Sequence, residues 1–307
     1  YLVISNLWLK MIEEIKIENL KKELFEIKKI NKDDIKLASF SHYLQNHKKK
    51  GYQTYKKDAL SFLIEVLKKE YPNKHITNSF TEEVLKYLIL DFNNSIPFSV
   101  PKNPKFKFID LFAGIGGFRI AMQNLGGKCE YTSEWDKEAQ KTYQANFGEI
   151  PFGDISKERI KNYIPNDFDI LCAGFPCQAF SIAGHRKGFS DTRGTLFFDV
   201  EQIIEKHRPK VVFLENVKNL FSHDKGKTFK VIIEILEKKL GYKVFYEILN
   251  SMTHANIPQN RERIFIIAFD PKQVKNYKEF KFPSKIKLTK TIHDILDDDK
   301  KADKYYY

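Results

Sequence analysis

The sequence predicts an α/β fold, a doubly wound and mostly parallel sheet preceded by a helical extension. Three observations lead there. From residue 106 onward, short apolar runs alternate with amphipathic helical runs. A glycine-rich turn, Ala113-Gly114-Ile115-Gly116-Gly117, follows the first of those apolar runs. The residues before 96 carry helical periodicity instead.

In chain order, residues 1–95 read as a helical extension. Asn6 to Ile30 spaces apolar residues at helical intervals among Lys and Glu, and Lys57 to Tyr71 repeats the pattern. Ser79-Phe80-Thr81-Glu82 is a capping-box pattern that opens a third helix running through Leu90. Residues 96–105 hold three prolines and read as a linker. Residues 106–283 form the main domain. Its strands are predicted at Phe106–Phe112, Lys128–Ser133, Phe168–Ala173, Lys210–Leu214, Lys243–Leu249 and Arg263–Phe269. Helices fit between them at Arg119–Leu125, Lys137–Phe147, Phe197–Lys206 and Thr228–Leu240. Only a loop joins the last two strands, which predicts that they pair antiparallel. The polar stretch 284–307 reads as the start of a further region.

Composition narrows the partners. No apolar run is long enough to span a bilayer and no secretory-type leader is visible, so a cytoplasmic protein without a membrane partner is expected. Three cysteines in 307 residues make no disulfide framework, and no Cys or His cluster has metal-site spacing. The formal net charge of +12 favours a polyanionic partner. Only seven arginines occur, none in the first hundred residues, so each marks a candidate place for a planar, permanently charged fork.

The glycine-rich turn opens a candidate nucleotide-type cofactor site. Glycines at a strand-to-helix turn let backbone approach a ligand in front of a helix N-terminus. Glu134-Trp135 ends the second strand, twenty residues after Gly114. A carboxylate there can accept hydrogen bonds from ribose hydroxyls, and an indole can lie against an adenine face. Gly153-Asp154-Ile155 follows at the next strand position, where Asp154 can take an adenine amino group. These residues leave a nicotinamide cofactor and S-adenosylmethionine both open.

Cys177, in Gly174-Phe175-Pro176-Cys177-Gln178, stands at the carboxyl end of a predicted strand, where open α/β sheets place their chemistry. A thiol suits addition to an electron-poor carbon. Cys129 and Cys172 fall inside strands and read as inert core. Glu215 follows four apolar residues, which predicts a desolvated carboxyl suited to holding or donating a proton. The stretch after Cys177 carries Gly184, Gly188 and Gly194 with Arg186, Lys187 and Arg193, the composition of a lid with phosphate contacts.

The ordered set F-I-D-L-F-A-G-I-G-G-F, E-W-D, G-D-I, G-F-P-C-Q-A-F-S, D-T-R-G-T-L-F-F, E-N-V and Q-N-R-E-R resembles the cytosine-C5 DNA methyltransferases over residues 106–283. The resemblance implies the Rossmann-like fold of S-adenosylmethionine-dependent methyltransferases, S-adenosyl-L-methionine as cofactor, and double-stranded DNA with a flipped-out cytosine as substrate. It implies Cys177 as nucleophile toward C6, Glu215 at N3 and the exocyclic amine, Arg263 at O2, and Arg261 bracing that pocket. Phe112, Gly114, Ile115, Gly116, Gly117, Glu134, Trp135, Asp154, Ile155 and Pro176 would line the cofactor site. Gln178, Ser181, Arg186, Lys187 and Arg193 would meet DNA. A restriction–modification setting is implied as well. The acceptor of the C5 proton is not identified.

The family's target-recognition region and two final motifs have no counterpart here, which leaves a shortened chain or a second polypeptide supplying the rest. The extension over residues 1–95 carries none of the reactive groups and is expected to be dispensable for the chemistry. Two alternatives share these residues in part: a non-catalytic DNA-binding or regulatory protein on the same scaffold, and a transfer-RNA cytosine-C5 methyltransferase.

Overall fold

The computed structural model describes residues 20, 35–47, 53–92, 96–176 and 196–296. They divide into two compact units, residues 1–174 with 202–209, and residues 175–201 with 210–307. The α/β class is borne out.

Among the described residues of the first unit, three helices precede the sheet, α1 (Ile35–Asn46), α2 (Gln53–Glu70) and α3 (Asn78–Phe92). The second and third match the predicted helices to within a few residues. Of the predicted Asn6–Ile30 helix only Leu20 is described, helical and buried. Helix α1 has no counterpart in the sequence reading.

Strand β1 (Phe106–Leu111) lies between β2 (Gly127–Ser133) and β3 (Ile170–Ala173), parallel to both. Phe108, Ile109 and Leu111 are fully buried, as expected for a strand covered on both faces. The intervening helices are α4 (Gly117–Asn124), α5 (Lys137–Phe147) and the single turn α6 (Glu158–Lys161). Helix α5 is closed at both ends: Asp136 Oδ1 accepts from Ala139 N at 2.8 Å, and Gly148 turns the chain at φ 67°. At the strand position to which Gly153-Asp154-Ile155 was assigned, the structure has one parallel bridge, Ser133 to Phe152.

In the second unit, β6 (Glu262–Phe269) runs between β4 (Val211–Val217) and β5 (Lys243–Asn250), antiparallel to each. The last two strands therefore pair antiparallel, as expected from their loop connection. That loop holds one helical turn, α10 (Ser251–Ala255), and helices α8 (Asn219–Ser222) and α9 (Lys227–Glu234) lie between β4 and β5. Helix α7 (Leu196–His207) divides its residues between the two units.

Candidate active site

In the first unit, the turn after β1 is shaped by backbone that few residue types adopt. Phe112 has φ 56°, Gly114 φ 54° and Gly116 φ 98°. A Cβ on Gly116 would sit 2.2 Å from the Phe147 ring, so the helix behind the turn approaches as closely as it does only with glycine there. Gly114 has nothing within 4 Å of where its Cβ would stand, which leaves open space above the turn.

The end of β2 is tied to that turn by Glu134. Its Oε2 accepts from Gly114 N and its Oε1 from Asp136 N, each at 2.8 Å. Each oxygen keeps a lone pair for a further donor. Ile115 is 59% exposed and Trp135 75% exposed beside it, two large apolar side chains without cover. Asp154 Oδ1 caps its own turn through Ser156 N, and its Oδ2 lies 3.7 Å from Lys157 Nζ. Ile155 is buried. Asp136, read within the E-W-D motif, is the N-cap of α5.

Beneath the turn, Asp110 is fully buried and its carboxyl oxygens have no aligned donor. Burial pushes its pKa up to about 7, with the nearby Arg119 cation opposing that rise and Glu134 adding to it. The sign of the linkage follows. Between pH 4 and 7 the unfolded chain releases this proton while the folded chain keeps it, so Asp110 lowers stability as pH rises through that window. The loss is roughly 4 kcal/mol by pH 7. Asp110→Asn should therefore match the wild type near pH 4 and exceed it at pH 7 in urea midpoint. Parallel midpoint–pH curves for the two proteins would refute the assignment.

The second unit carries the carboxylate–guanidinium pair. Glu215 and Arg263 lie diagonally across the β4–β6 ladder, because Arg263 pairs with Val217, two residues beyond Glu215 on the same face. Arg263 Nε donates to Glu215 Oε1 at 2.9 Å, and both side chains are about a quarter exposed or less. Arg263 Nη1 also donates to Glu262 O at 2.8 Å, which fixes the guanidinium plane. Burial raises the Glu215 carboxyl above the usual range, while Arg263 and Arg261 pull it back. Arg261 itself is exposed.

Pro176 is exposed at the edge of the described residues. Cys177, Gln178, Ser181, Arg186, Lys187 and Arg193 lie outside them. One further residue ties the chain leading to Cys177. Buried Asn216 donates from Nδ2 to the Phe175 carbonyl at 2.7 Å and accepts from Val217 N at 2.8 Å. The E-N-V triplet was its only sequence signal. Among the described residues, no group of His, Cys, Asp or Glu could hold a metal ion, and no helix is long and apolar enough to cross a membrane.

Comparison with known proteins bears on this arrangement. The family model described as C-5 cytosine-specific DNA methylase matches residues 106–307. The type II methyltransferase HpaII of Haemophilus parainfluenzae is 58% identical over 202 residues, covering 66% of this chain and 56% of that protein. The type II methyltransferase DsaV of Dactylococcopsis salina is 53% identical over 202 residues, again 66% and 56%. The type II methyltransferase HhaI of Haemophilus parahaemolyticus is 51% identical over 190 residues, covering 62% of this chain and 56% of that protein. The chain thus spans little more than half the length of these relatives. Since the family match covers about two thirds of its residues and contains the turn, Glu134, Glu215 and Arg263, the chain belongs to the C-5 cytosine-specific DNA methylase family.

Proposed function

We propose that this chain carries the cofactor-binding and catalytic part of a type II cytosine-C5 DNA methyltransferase, acting on a cytosine turned out of duplex DNA. The observation that supports this most is the Glu215–Arg263 pair. A half-buried carboxyl with a raised pKa, held by a guanidinium on the neighbouring strand, suits the polar edge of a pyrimidine.

The first unit's groups fit S-adenosylmethionine. Glu134 keeps free lone pairs for ribose hydroxyls, Ile115 and Trp135 offer apolar faces to adenine, and the glycine turn leaves room for the ligand's approach. Phe112, Gly114, Gly116, Gly117, Asp154 and Ile155 complete the proposed lining. When bound, the cofactor supplies an electrophilic methyl group. This chain's residues do the rest. The Cys177 thiolate forms a bond to C6 of cytosine, and the electron pair displaced toward N3 is met by the proton on Glu215. Arg263 holds O2 and Arg261 braces the pocket. C5 becomes enamine-like and nucleophilic by this addition. As C5 takes up the methyl group, N3 returns its proton to Glu215, and removal of the C5 proton by a base then restores the C5–C6 double bond and expels the thiolate. Gln178, Ser181, Arg186, Lys187 and Arg193 are assigned to the DNA.

The proposal is tested by labelled methyl transfer. This chain, and a chimaera carrying the part of HpaII methyltransferase that this chain does not span, are given duplex DNA and transfer RNA. Label at C5 of cytosine in DNA is expected. Label confined to transfer RNA, or DNA binding by the chimaera with no transfer, would overturn the assignment. Calorimetry separates the cofactor step. Glu134→Ala should weaken S-adenosylmethionine binding by about 10- to 100-fold, the range for one charge-assisted hydrogen bond. Undiminished affinity would remove Glu134 from the site.

A further inference from the structure

Helix α1 lies outside the region that matches the family, which begins at residue 106. Yet its polar face is built into the first unit. Ser41 and His42 stand one helical turn before Gln45, and all three meet the segment 147–152 or its ion pair. Ser41 Oγ accepts from Ile150 N at 3.0 Å. Gln45 Nε2 donates to Phe147 O at 2.5 Å, and Gln45 Oε1 accepts from Arg119 Nη2 at 2.9 Å. The His42 ring lies against Phe152, with centroids 4.7 Å apart, and its Nε2 is 3.1 Å from Glu149 Oε1.

Two routes lead from these contacts to the cofactor groups. The first runs through Arg119 on α4, whose N-terminus is the glycine turn. Arg119 is fully buried, ion-paired with Glu149, and donates to Tyr143 Oη at 3.1 Å and Gln123 Oε1 at 2.5 Å. A buried ion pair holds its geometry only when its remaining donors are met, and Gln45 meets one of them. The second route runs through Phe152, whose carbonyl accepts from Glu134 N at 2.8 Å and whose N–H reaches Thr132 O at 2.9 Å. The segment 147–152 has a single bridge to the sheet, Ser133 to Phe152. Side chains of α1 supply anchoring that strand pairing supplies elsewhere.

We propose that α1 is part of the foundation of the cofactor site, with Gln45 and His42 as positioning residues that set Glu134 and the 112–117 turn through Arg119, Glu149 and Phe152. This rests on the reading that Glu134 holds S-adenosylmethionine. It also revises the expectation that everything before residue 96 is dispensable, because α1 is bound to the site's framework by buried polar contacts.

The test uses the whole chain without cofactor. Amide hydrogen exchange is followed by mass spectrometry over residues 112–118 and 133–136, which include the Gly114 and Asp136 amides held by Glu134. Gln45→Leu is expected to speed exchange in both segments on the order of tenfold and to weaken S-adenosylmethionine binding by a similar factor. Gln45→Glu keeps an acceptor for Arg119 and should recover part of both losses; it also serves if the leucine variant does not fold. Leu67→Ala, a buried position on α2 chosen to lower the urea midpoint comparably, should leave exchange and affinity within about twofold of wild type. Wild-type exchange in Gln45→Leu, or equal loosening in Leu67→Ala, overturns the proposal. If the wild type binds no S-adenosylmethionine, the cofactor reading fails, and the exchange arm still decides the role of α1.

Discussion

Replacing Cys177 with serine is expected to reduce methyl transfer to background and to end covalent trapping on DNA that carries 5-fluorocytosine at the target. The reason is the nucleophile's charge state. A thiol gives a useful fraction of thiolate near neutral pH, whereas a serine hydroxyl does not. Addition at C6 is what makes C5 reactive, so without it the methyl donor meets an unactivated ring. Fluorine at C5 cannot leave as a proton does, and the wild-type enzyme should therefore remain attached through Cys177 after methylation. The measurement is a denaturing gel of labelled duplex with the chimaeric enzyme. A retained adduct in Cys177→Ser would place the nucleophile elsewhere. The placement rests on the Pro-Cys-Gln sequence that follows β3, with Asn216 holding the carbonyl of Phe175 two residues before Cys177.

Glu215→Gln is expected to lose about 10²- to 10⁴-fold in turnover while binding S-adenosylmethionine as the wild type does. Glutamine keeps the size of the side chain and can still donate a hydrogen bond, so the difference isolates the proton. Burial already favours the protonated carboxyl, and the two arginines restrain that preference. Arg263→Leu removes one restraint and the 2.9 Å hydrogen bond together. The Glu215 pKa should then rise further, and turnover should fall because O2 of the base loses its partner. Single-turnover kinetics with separate cofactor titrations check both variants. Turnover within tenfold of wild type in Glu215→Gln would remove Glu215 from proton transfer.

The strand ends were legible because their signal is local. An apolar run followed by one acid marks Glu215, and the Glu134-Trp135 pair closes a short strand pattern twenty residues after Gly114, so each signal lies among neighbours in the chain. The glycine turn was legible for the same reason, and Gly116 shows why glycine is needed there. The seven arginines singled out two structural facts, Arg119 as a buried fork and Arg263 as the partner of Glu215, without naming the partners. Those partners are 30 and 48 residues away.

By itself, then, the sequence determined the α/β class, the six strands and four longer helices described from residue 106 onward, and which residue types stand at the strand ends, because each depends on neighbours within a few positions. Tertiary structure alone decided the rest. Helix α1 is buried on nearly every side, from Leu37 to Leu44, so its polar side chains face the interior and mark no solvent stripe from which helical period could be read. The strand position to which Gly153-Asp154-Ile155 was assigned holds only one bridge, and polar side chains from α1 hold that segment in its place. Glu215 meets Arg263 only because β6 inserts antiparallel between β4 and β5, which turns a long separation in sequence into a diagonal neighbour on one face.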